Sequence, residues 1–587
     1  MLQPRSRWLF PTPVAVSPSL VDAGHELGLG PRVIGLLAAR GVTIPDELRR
    51  FLGDPATSLH DPSLLPDAER FLARVAAARD RGDRVMVFGD FDADGITGLS
   101  TLTLALRRFG VTALPYVPSR LDEGHGLSMA SIASAKEQGA TVIITVDTGS
   151  SSVREVDAAN EAGIDVLITD HHHVPPALPA AHALVNPHRA DASYPDARLA
   201  GSGVAFTLAR LLLGQAALQF ADLAAIGTVA DLAPILGENR AIVQLGLERI
   251  RTAPRPGIAA LLAASKLAPA DVDLETLAFA IAPRLNAAGR VGEAFDAARL
   301  LLSEDAEEAQ ALAGVLDAAN ATRRDLMKTA VADARTSRDA VDEAAATIVK
   351  GPWPVGIVGL VASRLAEERG KPAIVGAELG DIVRASCRSA GGLHLAEGLA
   401  ACSDLLLRHG GHAGAAGFEI EAANWPAFRN RFLAIAEAAA PPDPTPSIAL
   451  DLAIRARDVD YALHRDLRKL APCGAGNPEP LVAVLGLTVT KVRQTGDGGH
   501  TSLVLKRRLD VLDGIAFGWP ELSQEVAEGD VIDVVAQLRS RRFGGIESLQ
   551  LEIRDAAPSG HHPEARAILD AAPVAVGPGA AVGLAPA

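Results

Sequence analysis

The chain has 587 residues, 48 % hydrophobic and 22 % charged, enough for three or four packed domains and far from the apolar-poor composition of a disordered polymer. Its formal net charge of −15 at pH 7 excludes a histone-like binder, so any polyanion must be held by local basic patches or through bound cations. Three cysteines, Cys387, Cys402 and Cys473, without a C-x-x-C pair, exclude a disulfide framework and a thiolate zinc ribbon and place the protein in a reducing compartment, the cytoplasm. Neither a membrane span nor a secretory leader is expected.

Residues 1–75 read as a leader with short helices. Between 84 and 187 apolar runs alternate with helix-compatible stretches: RVMVFGD (84–90), ITGLSTLTLALRRFG (96–110), ALPYVP (113–118), LSMASIASAKEQG (127–139), TVIITVD (141–147), VREVDAANEAG (153–163) and DVLITD (165–170). Strands rich in Val and Ile between helices of ten to fifteen residues predict βαβ units and a doubly wound parallel sheet. This α/β domain is assigned to 76–295, its second half mostly helical. A long, charged connecting helix at 296–345 bridges to a smaller α/β domain at 346–438. The Pro-rich stretch at 439–447 reads as a linker, and short strand-like runs over 448–556 predict a small OB-like β-barrel. The Ala/Gly/Pro-rich segment 557–587 is expected to be a disordered tail.

Acids sit where these strands end. The first runs into Asp90-Phe91-Asp92-Ala93-Asp94, the third ends at Asp147, and the fourth ends at Asp170-His171-His172-His173. Ligands of a doubly wound sheet bind beyond the carboxyl ends of its strands, so these acids should converge on one crevice. One such Asp is ordinarily a helix cap or turn former. Several together repel each other unless cations neutralise them, and carboxylate plus imidazole donors suit Mn²⁺ or Mg²⁺. Two ions about 3.5–4 Å apart would polarise a phosphoryl oxygen, activate water and stabilise attacking and leaving oxygens, which is phosphoester hydrolysis. Asp231, in GTVAD (227–231), could close the cluster. An EF-hand reading of DFDADG fails, because Thr101 stands where the bidentate Glu is required.

GDFDADG, TVDTGSS, DHHH and GTVAD resemble the four signature motifs of DHH-superfamily phosphoesterases, in the order and spacing of its RecJ family of single-strand-specific exonucleases. PYVPSRLDEGHGLS, VNPHR, LAGSGVAF, DLAPILGENR, RLNAAGR, GIVGLVASRLAE, CRSAGGLHLAEGL, GGHAGAAGF and LAPCGAGNPEP are similar to further blocks of that family, and the resemblance spans roughly 75–555. It implies that Asp92, Asp94, Asp147, His171 and Asp231 bind two metal ions, with Asp147 as the bridge and Asp90 as ligand or support. It implies that His172 contacts the substrate phosphate or leaving oxygen. It identifies 346–438 with a DHHA1 domain, in which Arg388, Ser389, Gly410, Gly411 and His412 contact substrate; Arg120, Arg284, Arg290 and Arg384 are candidates of the same kind, since the guanidinium fork matches phosphate. Three positions depart from the family pattern: Cys387 for a glycine, Pro354 for a histidine and His125 for a tyrosine.

The expected activity is therefore a Mn²⁺- or Mg²⁺-dependent exonuclease on single-stranded DNA, in a cleft too narrow for a duplex. The 5′→3′ direction, a role in DNA repair and recombination, and cooperation with a helicase and a single-stranded-DNA-binding protein are implied by the resemblance alone; a monomer is expected. The barrel's Lys491, Arg493, Lys506, Arg507, Arg508, Arg539, Arg541 and Arg542, against only Phe517, Trp519 and Phe543, predict backbone electrostatics over base stacking. Two alternatives are a phosphoesterase of short oligonucleotides, cyclic dinucleotides or pyrophosphate, and a non-catalytic DNA-binding scaffold.

Overall fold

The computed structural model describes residues 2–120, 123–337, 345–390, 392–439, 445–496, 498–507, 510–543 and 546–570. They form two compact units, one from His60–Ala233 with Ile242–Pro444, the other from Met1–Leu59, Pro234–Ala241 and Thr445–Ala587.

In the first unit, strands β1 (Arg84–Gly89), β2 (Thr112–Tyr116), β3 (Ala140–Val146), β4 (Asp165–Thr169) and β5 (Ala183–Val185) form a parallel sheet in the order β2-β1-β3-β4-β5. The short β5 was not anticipated. Met86, Phe88, Ile143, Val166 and Ile168 pack with helices α2 (Met129–Glu137) and α3 (Val153–Glu161). Helices α1 (Ala93–Phe109), α4 (Gly201–Leu213) and α5 (Ala221–Ala230) pack together, with α1 and α4 against the strands, so the sheet is doubly wound as expected. Strand order reverses between β1 and β3, and this switch point is where such a sheet opens a crevice.

The stretch Gly201–Ala230 is long and apolar enough to cross a membrane by composition, which corrects the expectation that no segment is. Here it is broken at Gly214–Phe220, and most of α4 and all of α5 but its last residue are buried.

Beyond the helices Gly237–Thr252 and Pro256–Ala264 come three consecutive helices, α6 (Ala282–Val291), α7 (Ala294–Leu302) and the 31-residue α8 (Ala306–Thr336). The last quarter of α8 buries Ala330, Val331 and Ala334 against α9 (Val355–Arg369) of the second lobe. That lobe is a mixed sheet in which β9 (Arg408–Gly411), β10 (Ala415–Glu421), β8 (Ile382–Arg388), β7 (Ala373–Leu379) and β6 (Thr347–Gly351) follow in that order.

In the other unit, β11 (Val482–Gln494), β12 (Thr501–Arg507), β13 (Asp510–Ala516), β14 (Val531–Phe543) and β15 (Ile546–Pro558) close into a five-stranded barrel through the β11–β14 pairing. The N-terminal segment is no separate leader. Its strand Arg7–Leu9 pairs in parallel with Ser447–Ala449, and Leu20, Val33, Leu37 and Leu48 share one core with Val484, Leu503, Ile532 and Leu551 of the barrel. Buried Asp555 accepts hydrogen bonds from the backbone of Arg5 and Ser6 and from Trp8 Nε1, each at 2.9 Å.

The expected tail is ordered over its first part: β15 runs to Pro558, and Pro563–Asp570 is a helix packed near Leu452–Arg455. The rest of the tail, from 571, most of the 439–447 linker and Arg508 lie outside the described residues. Trp519 is buried and covered by the Arg5 guanidinium, whereas Phe517 is exposed; the side chains of Arg507, Arg542 and Phe543 lie outside the described residues. Arg539 is paired with Glu479 and Glu552.

Replacing Asp555 by Ala would remove the acceptor of four donors, the indole and the amides of Arg5, Ser6 and Ala556, at about 1–3 kcal/mol for each left unpaired. Asp555→Ala is expected to lower the thermal midpoint by several degrees and to open the N-terminal segment to limited proteolysis.

Candidate metal centre

The crevice at the switch point is lined by side chains held through the sheet itself. Asp90, Asp147 and Asp170 each follow a strand, and each donates its own N–H to the neighbouring strand, to Val146 O, Thr169 O and Val185 O at 3.3, 3.0 and 3.0 Å. The ladder therefore extends one residue into the site. Asp92 caps α1, accepting from the amides of Asp94 and Gly95 at 3.0 Å. Asp94 accepts from the first amides of α4, Gly201 at 2.7 Å and Ser202 at 2.9 Å. Asp231 ends α5.

These residues converge. Ligand atoms lie within 4.8 Å of one another in three groups: Asp90, Asp92 and Asp147; Asp94, His171 and Asp231; and Asp147, His171 and His172. Asp147 belongs to two of them. His171 Nε2 is 3.0 Å from Asp147 Oδ1 and 3.8 Å from Asp94 Oδ2, and His171 Nδ1 is 3.9 Å from Asp231 Oδ2. Despite that 3.0 Å approach, Asp147 Oδ1 and His171 Nε2 are both buried without a hydrogen-bond partner. Adjacent ligands of an octahedral ion at 2.0–2.1 Å are about 3 Å apart, so the pair fits a shared divalent cation.

The convergence needs small residues beneath it. A Cβ on Gly201 would lie 2.6 Å from Asp147 Cβ, and one on Gly227 would lie 2.5 Å from Asp94 Oδ1. Asp147 itself adopts φ 63°, a left-handed conformation costly for a side-chain-bearing residue and frequent at functional sites.

Burial, then the neighbouring carboxylates, raise the Asp147 pKa well above the usual range. The same causes push Asp92 to about 6 and Asp231 to about 8. Burial lowers His171. His172 differs: its Nδ1 bonds Asp170 Oδ1 at 2.8 Å, which raises it to about 9. Burial alone would raise Asp170, but His172 and the Ser150 amide hold it down to about 2. Asp170 also accepts from the amides of His171 and His172 at 2.8 and 3.1 Å, so this acid organises the loop. It was absent from the predicted site set, although its place at a strand end before two histidines was a readable signal. Asn186, likewise missed, donates to His172 O at 2.9 Å.

A basic surface faces the acids. Arg120 stacks on Phe91 at 4.7 Å; burial lowers its pKa while Asp90 and Asp92 oppose the shift. Arg290 donates to Gly356 O at 2.8 Å and is pushed down to about 10 by burial and by Arg120. Arg388 is lowered by burial and donates to Cys387 O at 2.8 Å. Gly359 leaves its guanidinium room, since a Cβ there would lie 3.3 Å from Arg388 Nη2.

Other candidates are engaged elsewhere. Arg284 binds Asp317, at 2.7 and 2.9 Å, and Ala280 O at 2.7 Å. Arg384 donates to Glu419 at 2.6 Å, which also takes Arg408. Ser389 donates to Leu393 O at 2.6 Å. These three make protein contacts that leave their expected substrate role without support in this geometry. Gly410, Gly411 and His412 are exposed at the sheet edge, where Gly411 has φ 137° and a Cβ would lie 2.4 Å from Ala416 Cα.

The three departures resolve individually. His125 Nδ1 is 3.1 Å from Asp90 Oδ2, beside the cluster. Cys387 points into the second lobe's core. Pro354 caps α9 and offers no side-chain donor.

Residues 84–228 match the DHH family N-terminal domain, 342–438 the DHHA1 domain and 450–555 the RecJ OB domain. The chain is 35 % identical over 565 residues to the single-stranded-DNA-specific exonuclease RecJ of Bacillus subtilis (strain 168), covering 95 % of this chain and 72 % of that protein. It is 35 % identical over 571 residues to RecJ of Dickeya dadantii (strain 3937), covering 89 % and 95 %. Among solved structures, RecJ in complex with Mn²⁺ from Thermus thermophilus superposes with a TM-score of 0.80 at 31 % identity, over 95 % of this chain and 81 % of that one. Its Mg²⁺ counterpart gives 0.75 at 30 %, over 95 % and 79 %.

Asp92 and Asp231, at about 6 and 8, hold protons in the folded chain that an unfolded carboxylate, near 3.9, has released. Over that window the folded state binds more protons, so unfolding free energy falls as pH rises. In chelator the thermal midpoint is expected to drop between pH 5 and pH 8, and Mn²⁺ to restore it most strongly at pH 8. Asp147→Asn should flatten both responses.

Proposed function

The chain belongs to the RecJ family of single-stranded-DNA-specific exonucleases, and we propose that it hydrolyses phosphodiester bonds from a free end of single-stranded DNA with two divalent ions, Mn²⁺ or Mg²⁺. The observation that carries this reading is the buried Asp147–His171 pair, two partnerless ligand atoms at the focus of four further carboxylates. When bound, the ions supply Lewis acidity and activate water for attack on phosphorus.

Asp147 with Asp90 and Asp92 would hold one ion, and Asp147 with Asp94, His171 and Asp231 the other. His172 keeps its proton at neutral pH because Asp170 accepts from Nδ1; its Nε2 then donates to the phosphate or the leaving oxygen. Asp170 fixes that tautomer and ring orientation without touching substrate. Arg120, Arg290 and Arg388 bind phosphate, holding the strand in line with the attacking water. The exposed β9 edge with Gly410, Gly411 and His412 lets backbone approach the strand. We assign 5′→3′ polarity, a cytoplasmic role in DNA repair and recombination, action as a monomer, and cooperation with a helicase and a single-stranded-DNA-binding protein on the family resemblance.

End-labelled single strands, with metal withheld and restored, test the reading. Asp147→Ala is expected to abolish Mn²⁺-dependent shortening, and label position reports polarity. His172→Ala is expected to lower kcat about 10²–10⁴-fold while the Mn²⁺-induced thermal shift persists. Cleavage of dinucleotides in preference to long strands, or binding without shortening, would overturn the assignment.

A further inference from the structure

Helices α6, α7 and α8 pack on one another. Their register is fixed by Arg284 against Asp317, at 2.7 and 2.9 Å. Moving equally far along both helices replaces that opposite-charge pair by a like-charge one: Arg290 on α6 beside Arg323 on α8. Arg323 is close enough to contribute to lowering the Arg290 pKa. Its Nε is buried and has no hydrogen-bond partner. One turn earlier on the same face, Asn320 is buried with a partnerless Oδ1.

Around Arg290 on α6 gather guanidinium groups from three other elements, Arg120 after β2, Arg323 on α8 and Arg388 at the end of β8, each close enough to act on Arg290. Among the described residues none of the four forms an ion pair with a carboxylate, whereas Arg284 and Arg384 do. Partly buried like charges repel, and an anion that enters between them removes that repulsion and satisfies free donors at once. Asp92 borders the cluster and influences both Arg120 and Arg290, so an anion held there lies against the metal centre.

We propose that Arg323 is a phosphate-contact residue, the fourth arginine of this anion site, delivered by the connecting helix to grip a phosphate of the DNA strand beside the metal centre. The proposal rests on the exonuclease reading for the identity of the anion.

The test compares the full-length protein with Arg323→Met and Arg323→Lys, measuring single-strand binding across a salt series, kcat and KM with Mn²⁺, and the thermal midpoint without DNA. For Arg323→Met the expected result is KM raised about tenfold or more, a log–log salt slope of binding reduced by about one, and a DNA-free midpoint unchanged or higher. Arg323→Lys should recover the slope and only part of the KM, because a point charge cannot fork. An unchanged slope and KM overturn the proposal, as does a fall in midpoint with the slope intact, which would mark Arg323 as structural. If the wild type shortens no strand, the exonuclease reading fails, while the slope still decides whether Arg323 meets a phosphate.

Discussion

Mutual repulsion among buried carboxylates is the constraint around which the first unit is organised. Asp90, Asp92, Asp94, Asp147 and Asp231 come from three separate stretches of chain, and each is held by hydrogen bonds made before any ion arrives. Strand-ladder amides position Asp90 and Asp147, and helix amides position Asp92 and Asp94. Such mounting costs the metal-free protein stability, because charges that would separate are kept together. It also means that little rearrangement opposes metal entry, which is how preorganised sites gain affinity. The left-handed Asp147 and the glycine packed against it belong to the same arrangement.

The positive side of the crevice obeys the mirror rule. Arginines of the same helices divide into those with an acid opposite, such as Arg284, and those without, such as Arg290. The former tie helices together. The latter keep unsatisfied field for a ligand. The two lobes also meet at this point: a Cβ on Gly356 would lie 2.6 Å from Arg290 O, so α6 and α9 touch backbone to backbone, and a phosphate held by Arg290 and Arg388, as proposed, would be contacted from both lobes.

The parallel sheet and the acids at its ends were legible because both depend on local pattern: apolar runs of strand length, three of them followed by Asp. Spacing could not reveal pairing partners. Arg284 and Arg384 read as phosphate ligands, but Asp317 and Glu419 lie beside them, and nothing in the spacing of the charged connecting helix singles out Arg323. Asp170 was visible, but apart from His172 Nδ1 its partners, the amides of Ser150, His171 and His172, are backbone groups with no signature in side-chain identity. Trp519 was counted as a stacking ring because burial of an aromatic in a turn-rich barrel follows from tertiary packing alone. For the same reason the first 59 residues gave no hint that their core is shared with the barrel.

That shared core bears on how the molecule is made. One part of it leaves the ribosome before most of the catalytic unit and the other after it. The early helices, too short to be stable alone, must wait as nascent chain until the last strands appear, whereas the metal-binding unit can fold while synthesis continues. A stalled or truncated product would therefore carry a finished active centre and an unclosed barrel, with the apolar faces of the first helices left for chaperones to cover.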